Sequence, residues 1–112
     1  MSNRSYERGD VMKNDIFSPT AEQLDKIGTF FKVMGDPTRL KILTVLLGGN
    51  LCVMHISQAL HMSQSAVSHQ LSVLRGANLV KVSRSGKTQV YAIADEHVRL
   101  ILDMALLHSN EK

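Results

Sequence analysis

Three observations predict a mainly α fold with a β-hairpin wing, in the order ααααββα. Apolar residues recur at spacings of three and four through five segments of the 112-residue chain. Two of those segments are short and joined by a tight turn, the second rich in small polar residues. Between residues 79 and 93 the apolar period changes from about 3.6 to 2 around a basic, glycine-containing turn. Together these make the pattern of a winged helix-turn-helix.

A chain of this length has room for one domain. Such a domain buries a modest core, so pairing with a second copy is a natural way to add buried surface. Residues 1–19 lack apolar periodicity and are expected to form a flexible N-terminal arm. Residues 20–112 form the domain.

The first helix opens at Ser18-Pro19-Thr20, with Thr20 as N-cap and Gln23 as its capping-box partner. Leu24, Ile27, Phe30, Phe31 and Met34 give it one apolar face, and Gly35 ends it. The second starts at Asp36-Pro37, a capping carboxylate followed by a proline whose missing N–H is harmless in the first turn. Leu40, Ile42, Leu43, Val45, Leu46 and Leu47 make it too apolar all round for a surface helix. Gly48-Gly49-Asn50 stops it.

The third helix spans Val53 to Leu60, with Val53, Ile56, Ala59 and Leu60 directed inward. His61-Met62 is the turn. Ser63 caps a fourth helix that runs to about Arg75, with Ala66, Val67, Leu71 and Leu74 as its core stripe. A hairpin follows: Leu79, Val80 and Val82 before a Ser-Gly turn at Ser85-Gly86, then Val90, Tyr91 and Ile93. Asp95 caps the last helix, which runs to about Ser109 and carries Val98, Ile101, Leu102, Ala105 and Leu106.

Charge is distributed unevenly. The net charge is +3, yet all ten acidic residues lie at or before Asp36 or at or after Asp95. The intervening stretch carries Arg39, Lys41, Arg75, Lys81, Arg84 and Lys87 and no carboxylate. A cationic middle between acid-bearing ends is the footprint of a surface that binds phosphates. No apolar run approaches the roughly 20 residues of a membrane span, and the polar first fifteen residues do not resemble a signal peptide. A single cysteine, Cys52, excludes an internal disulfide and suits a reducing, cytoplasmic setting. No glycine-rich phosphate loop or Ser/Cys–His nucleophile arrangement points to an enzyme.

On the fourth helix the apolar stripe leaves Gln64, Ser65, Ser68, His69 and Ser72 on the outer face. These short or amide-bearing side chains suit base edges and phosphates in a DNA groove. Arg84 and Lys87 on the hairpin would meet the neighbouring backbone or minor groove. Double-stranded DNA is therefore the expected partner.

Residues 30–43 (Phe-Phe-Lys-Val-Met-Gly-Asp-Pro-Thr-Arg-Leu-Lys-Ile-Leu) resemble the start of the second helix in the ArsR/SmtB family of metal-responsive repressors. Leu51-Cys52-Val53, and Ser65-Ala66-Val67-Ser68-His69-Gln70-Leu71, are similar to that family's helix-turn-helix. The resemblance covers about residues 22–111. It implies a homodimer joined through the first and last helices, an operator that is an imperfect inverted repeat, and DNA binding relieved by metal. Two recognition helices related by a two-fold axis would then sit roughly 34–36 Å apart.

The last helix carries Asp95-x-His97 at one end and His108-x-x-Glu111 at the other. Residues 97, 101, 104, 108 and 111 lie along one stripe. At 1.5 Å per residue His97 and His108 are roughly 16 Å apart, far beyond zinc–nitrogen bonds of about 2.0–2.1 Å. One helix cannot bring both to one metal, whereas an antiparallel second copy can. Asp95 and His97 of one protomer would meet His108 and Glu111 of the other, giving two sites per dimer, each with two nitrogens and two oxygens. This donor set suits tetrahedral zinc and by ligand type also accepts cobalt. Within the resemblance, it looks like the last-helix site of the family's zinc sensors, with Glu111 where some members have a third histidine.

Cys52-x-x-His55 is a second, weaker metal candidate. The family has a site there that borrows ligands from the N-terminal arm, but this arm offers only Glu7, Asp10 and Asp15. The sequence thus predicts a repressor that zinc or cobalt releases from DNA. The alternative is a winged-helix repressor answering a non-metal signal, such as oxidation of Cys52.

Overall fold

In the computed structural model, which describes residues 18–111, the elements follow the predicted order. They are α1 (Ala21–Met34), α2 (Pro37–Leu47), α3 (Val53–Leu60), α4 (Gln64–Gly76), β1 (Val80–Ser85), β2 (Thr88–Ile93) and α5 (Glu96–Ser109). All of the expected arm but its last two residues lies outside the described residues.

Side-chain caps set the helix starts. Thr20 accepts from the Gln23 amide at 3.0 Å while the Thr20 amide donates to Gln23 Oε1 at 2.8 Å, closing the capping box. Asp36 caps α2 through the Arg39 amide, Ser63 caps α4 through that of Ala66, and Asp95 caps α5 through that of Val98. The turn between α3 and α4 passes through His61 at φ 56°, a left-handed C-cap that ends one helix and redirects the chain to the next.

The core gathers on α2. Ile42, Leu43 and Leu46 are fully buried and pack with Ile56 of α3, Val67, Leu71 and Leu74 of α4, and Leu79, Val80, Ile93, Val98 and Leu102. Every buried side chain among the described residues is apolar. Each contributes about 1.5–3 kcal/mol by leaving water. The expectation of a central α2 holds, although Leu40 is 38% exposed. Ala59 of α3, expected inside, is exposed.

Two polar ties fasten the periphery to this centre. Arg99 of α5 donates from Nη1 to the Leu47 carbonyl at 3.1 Å, satisfying an acceptor that the end of α2 leaves unpaired. Leu51 exchanges both backbone hydrogen bonds with Tyr91, at 3.0 and 2.8 Å, adding a one-residue strand to the base of the hairpin.

The strands pair antiparallel from Val80↔Ile93 to Ser85↔Thr88. The loop is therefore Gly86-Lys87 rather than Ser85-Gly86. Gly86 stands at φ 65°, and a glycine at the first of two loop residues matches the right-handed twist of the strands. The one-residue shift puts Lys87 itself at the tip.

The first and last helices depart most from expectation. On α1, Met34 is buried and Phe30 and Val33 pack against the core, whereas Leu24, Ile27 and Phe31 are 55%, 47% and 52% exposed. The single apolar face predicted for α1 is thus two faces. On α5, Val98 and Leu102 are buried and Ile101 partly so, but Leu100, Met104 and Leu107 lie outward. Ala105 and Leu106 are exposed as well, so the helix leaves the domain body after Leu102. No helix among the described residues is long and apolar enough to cross a membrane.

Candidate DNA interface and metal centre

The core stripe of α4 fixes what its other side presents. With Val67, Leu71 and Leu74 buried, Gln64, Ser65, Ser68, His69 and Ser72 are all exposed, as the sequence predicts. Arg84 and Lys87 are exposed on the hairpin that follows this helix. The surface combines uncharged hydrogen-bonding groups on a helix with cations on an adjoining ribbon. Such a set can reach base edges with the first and phosphates with the second.

Arg39 does not belong to that surface. Counted by sequence among the six cations of the acid-free middle, it is half-buried and its guanidinium is engaged within the domain. The helical pattern places Arg39 on α2 but cannot show which carbonyl lies within its reach.

The candidate metal ligands form two pairs. His97 Nδ1 lies 3.7 Å from Asp95 Oδ1 at the start of α5, and His108 Nδ1 lies 3.6 Å from Glu111 Oε1 at its end. The histidine side chains are 90% and 85% exposed. Among the described residues of one chain, no group of three or more His, Cys, Asp or Glu converges where a metal could be held. The chain thus presents two separate pairs, each with one imidazole and one carboxylate. Two such pairs make the two-nitrogen, two-oxygen set that zinc accepts.

The two histidines share a face of α5 with exposed apolar residues. His97, Leu100, Met104, Leu107 and His108 lie on one side of the helix, all exposed, and Glu111 follows just beyond its end. The predicted stripe named Ile101, which instead turns toward the core; Leu100 takes its place outside. Beside the first pair runs an open groove of about 880 Å³, with Ile27, Phe30 and Phe31 of α1 on one wall and Asp95, His97 and Ile101 on the other.

Cys52 and His55 meet at the start of α3, with Sγ 3.4 Å from Nδ1. Cys52 is the N-cap residue yet makes no side-chain capping bond. The structure adds no further His, Cys, Asp or Glu to this pair among the described residues.

Comparison with known proteins agrees with this architecture. A family model for bacterial regulatory proteins of the arsR family matches residues 36–82, from the cap of α2 into β1. A transcriptional repressor SmtB homolog of Synechocystis sp. is 42% identical over 77 residues, which cover 69% of this chain and 58% of that protein. A cadmium resistance transcriptional regulatory protein CadC homolog of Staphylococcus aureus is 36% identical over 86 residues, 76% of this chain and 71% of its own. Among solved structures, the homodimeric winged helix-turn-helix DNA-binding domain of a Mycobacterium bovis protein superimposes with a TM-score of 0.77. It shares 28% identity and covers 84% of this chain and 90% of that one.

Proposed function

The chain belongs to the arsR family of bacterial regulatory proteins, and from that premise we propose that it is a homodimeric transcriptional repressor released from its operator by a divalent metal, zinc or cobalt. The family is one of DNA-binding regulators, not of enzymes. The observation that carries the proposal is the pair of half-sites on α5, each too small to hold a metal and too far from the other to join it within one helix.

The outward residues of α1 and α5 supply the dimer surface. Leu24, Ile27, Phe31, Leu100, Met104 and Leu107 are large, apolar and about half exposed or more. Clustered exposure of this kind marks a surface that another chain covers. Antiparallel pairing of α5 with its copy places His108 and Glu111 of the partner subunit against Asp95 and His97. When bound, the metal supplies coordinate bonds that join these four side chains across the interface.

The chain's own residues do the rest. Asp95 holds its carboxylate beside His97 while capping α5, so the ligand is fixed by the start of the helix. Gln64, Ser65, Ser68, His69 and Ser72 face the major groove, and Arg84 and Lys87 meet phosphates beside it. Residues 20–112 act as the DNA-binding and dimerisation domain, with residues 1–19 as an arm. Metal can shift the balance between two dimer geometries only if it binds one more tightly than the other. The dimer that holds DNA is therefore the one in which the four ligands are less well matched.

Cys52 beside His55 favours a second reading, in which oxidation of the thiol is the signal. One experiment separates the two. Operator anisotropy is followed during addition of zinc and, in a parallel series, of hydrogen peroxide to wild type, His97→Ala, His108→Ala and Cys52→Ser; release of wild type by peroxide but not zinc, lost in Cys52→Ser, is the outcome of the thiol reading. With zinc, the metal proposal expects release by wild type and Cys52→Ser and retention by both histidine variants. Release by all four would overturn it.

A further inference from the structure

We infer that Arg39 is a positioning residue for sequence-specific DNA binding, clamping the end of α1 to the recognition helix α4 through Val33 and Gln70. The inference rests on the reading of α4 as the DNA-reading helix and goes beyond it, because Arg39 lies outside the reading face.

The guanidinium makes two bonds in different directions. Nε–H donates to the Val33 carbonyl at 2.8 Å, and Nη1 donates to Gln70 Oε1 at 3.3 Å. Val33 stands in the last turn of α1, where carbonyls have no helical partner. Gln70 is half-buried on α4, directly after Ser68 and His69 and two residues before Ser72. The Arg39 amide is held in turn by Asp36 Oδ2 at 3.1 Å, which anchors the arginine's own backbone. One side chain therefore connects the helix that carries the outward apolar face to the helix that carries the DNA face.

Both acceptors are neutral, so geometry rather than charge pairing selects the residue. Arginine offers a rigid planar fork with donors aimed two ways, whereas lysine offers a compact point charge on a flexible stem. A cation required for phosphate binding tolerates that exchange; a clamp does not. The same bonds turn the half-buried Arg39 fork toward Val33 and Gln70 and hold it there, which makes it a poor phosphate ligand.

The test uses the full-length dimer and two duplexes of equal length. One is selected by wild-type protein from a randomised pool, and the other is its scrambled sequence. Arg39→Lys should weaken binding to the selected duplex about tenfold or more, as expected for a lost hydrogen bond to a charged group. Binding to the scrambled duplex and the slope of affinity against salt should stay as in wild type, because the charge is kept. Gln70→Leu, which leaves the bond to Val33 in place, should do the same. The double variant should be little worse than either alone. Size-exclusion chromatography and thermal melts establish that each variant is a folded dimer. Should Arg39→Lys fail to fold, Gln70→Leu carries the test alone.

Wild-type discrimination retained by folded Arg39→Lys or by Gln70→Leu overturns the clamp while leaving DNA recognition intact. Tolerance of Arg39→Lys, with Arg39→Gln weakening both duplexes alike and making the salt slope shallower, overturns it in favour of a phosphate contact. Failure of wild type to prefer any duplex removes the DNA-reading role and the clamp with it.

Discussion

The carboxylate of Asp95 serves two neighbours at once: Oδ1 accepts the Val98 amide at 3.0 Å and lies 3.7 Å from His97 Nδ1. Helix capping and metal ligation would thus share a residue, and they separate by substitution. Asp95→Asn keeps a capping oxygen but loses the anionic ligand. It should retain most stability in urea titrations while zinc no longer releases DNA. Asp95→Ala should lose the response and about 1 kcal/mol of stability as well. In wild type, a chelator added after zinc should restore the DNA-bound anisotropy.

The outward apolar residues should govern assembly. Met104→Glu and Leu107→Glu place charges on a surface that is solvent-facing in the protomer, so each protomer should stay folded. Light scattering should show dimers shifting to monomers, with operator affinity falling in parallel because two linked half-sites become one.

Substitutions on the two parts of the DNA surface should differ in kind. Ser68→Ala and His69→Ala should cost about 1–3 kcal/mol on the selected sequence wherever a base contact is removed, with less effect on scrambled DNA. Arg84→Gln and Lys87→Gln should weaken both duplexes alike and lower the salt slope by about one each. Affinity measured across a salt series resolves the two behaviours.

Leu46 tests the centre of the fold. It is fully buried on α2, and Leu46→Ala should destabilise the chain by about 2–5 kcal/mol in denaturant unfolding.

Much of this architecture was legible because it is written locally. Capping residues at 20, 36, 63 and 95 lie within three positions of the amides they bond, so sequence spacing alone finds them. The buried stripe of α4 follows from periodicity, and its outer face follows from the stripe. What spacing could not show was which of two apolar faces on α1 meets the chain's own core. Leu24, Ile27 and Phe31 look the same in sequence as Phe30, Val33 and Met34, and only tertiary packing tells them apart. The same holds for Leu100 against Ile101. The hairpin loop slipped by one residue because Ser-Gly and Gly-Lys are both workable two-residue loops, and pairing of Ser85 with Thr88 decides between them. The bonds of Arg39, across 6 and 31 residues, and of Arg99, across 52, have no local signature at all.

The pairing of Leu51 with Tyr91 has a consequence for how tightly the protein can hold its target. The hairpin is stitched at its root to the segment that leads into α3, so it cannot swing freely like an antenna. Its tilt is inherited from the folded body before any encounter. Docking then has only the Gly86-Lys87 tip and the long basic side chains left to immobilise, which keeps the entropic toll of association small. In hydrogen exchange, the amides of Leu51 and Tyr91 should accordingly be protected like those of the interior, while that of Lys87 exchanges freely.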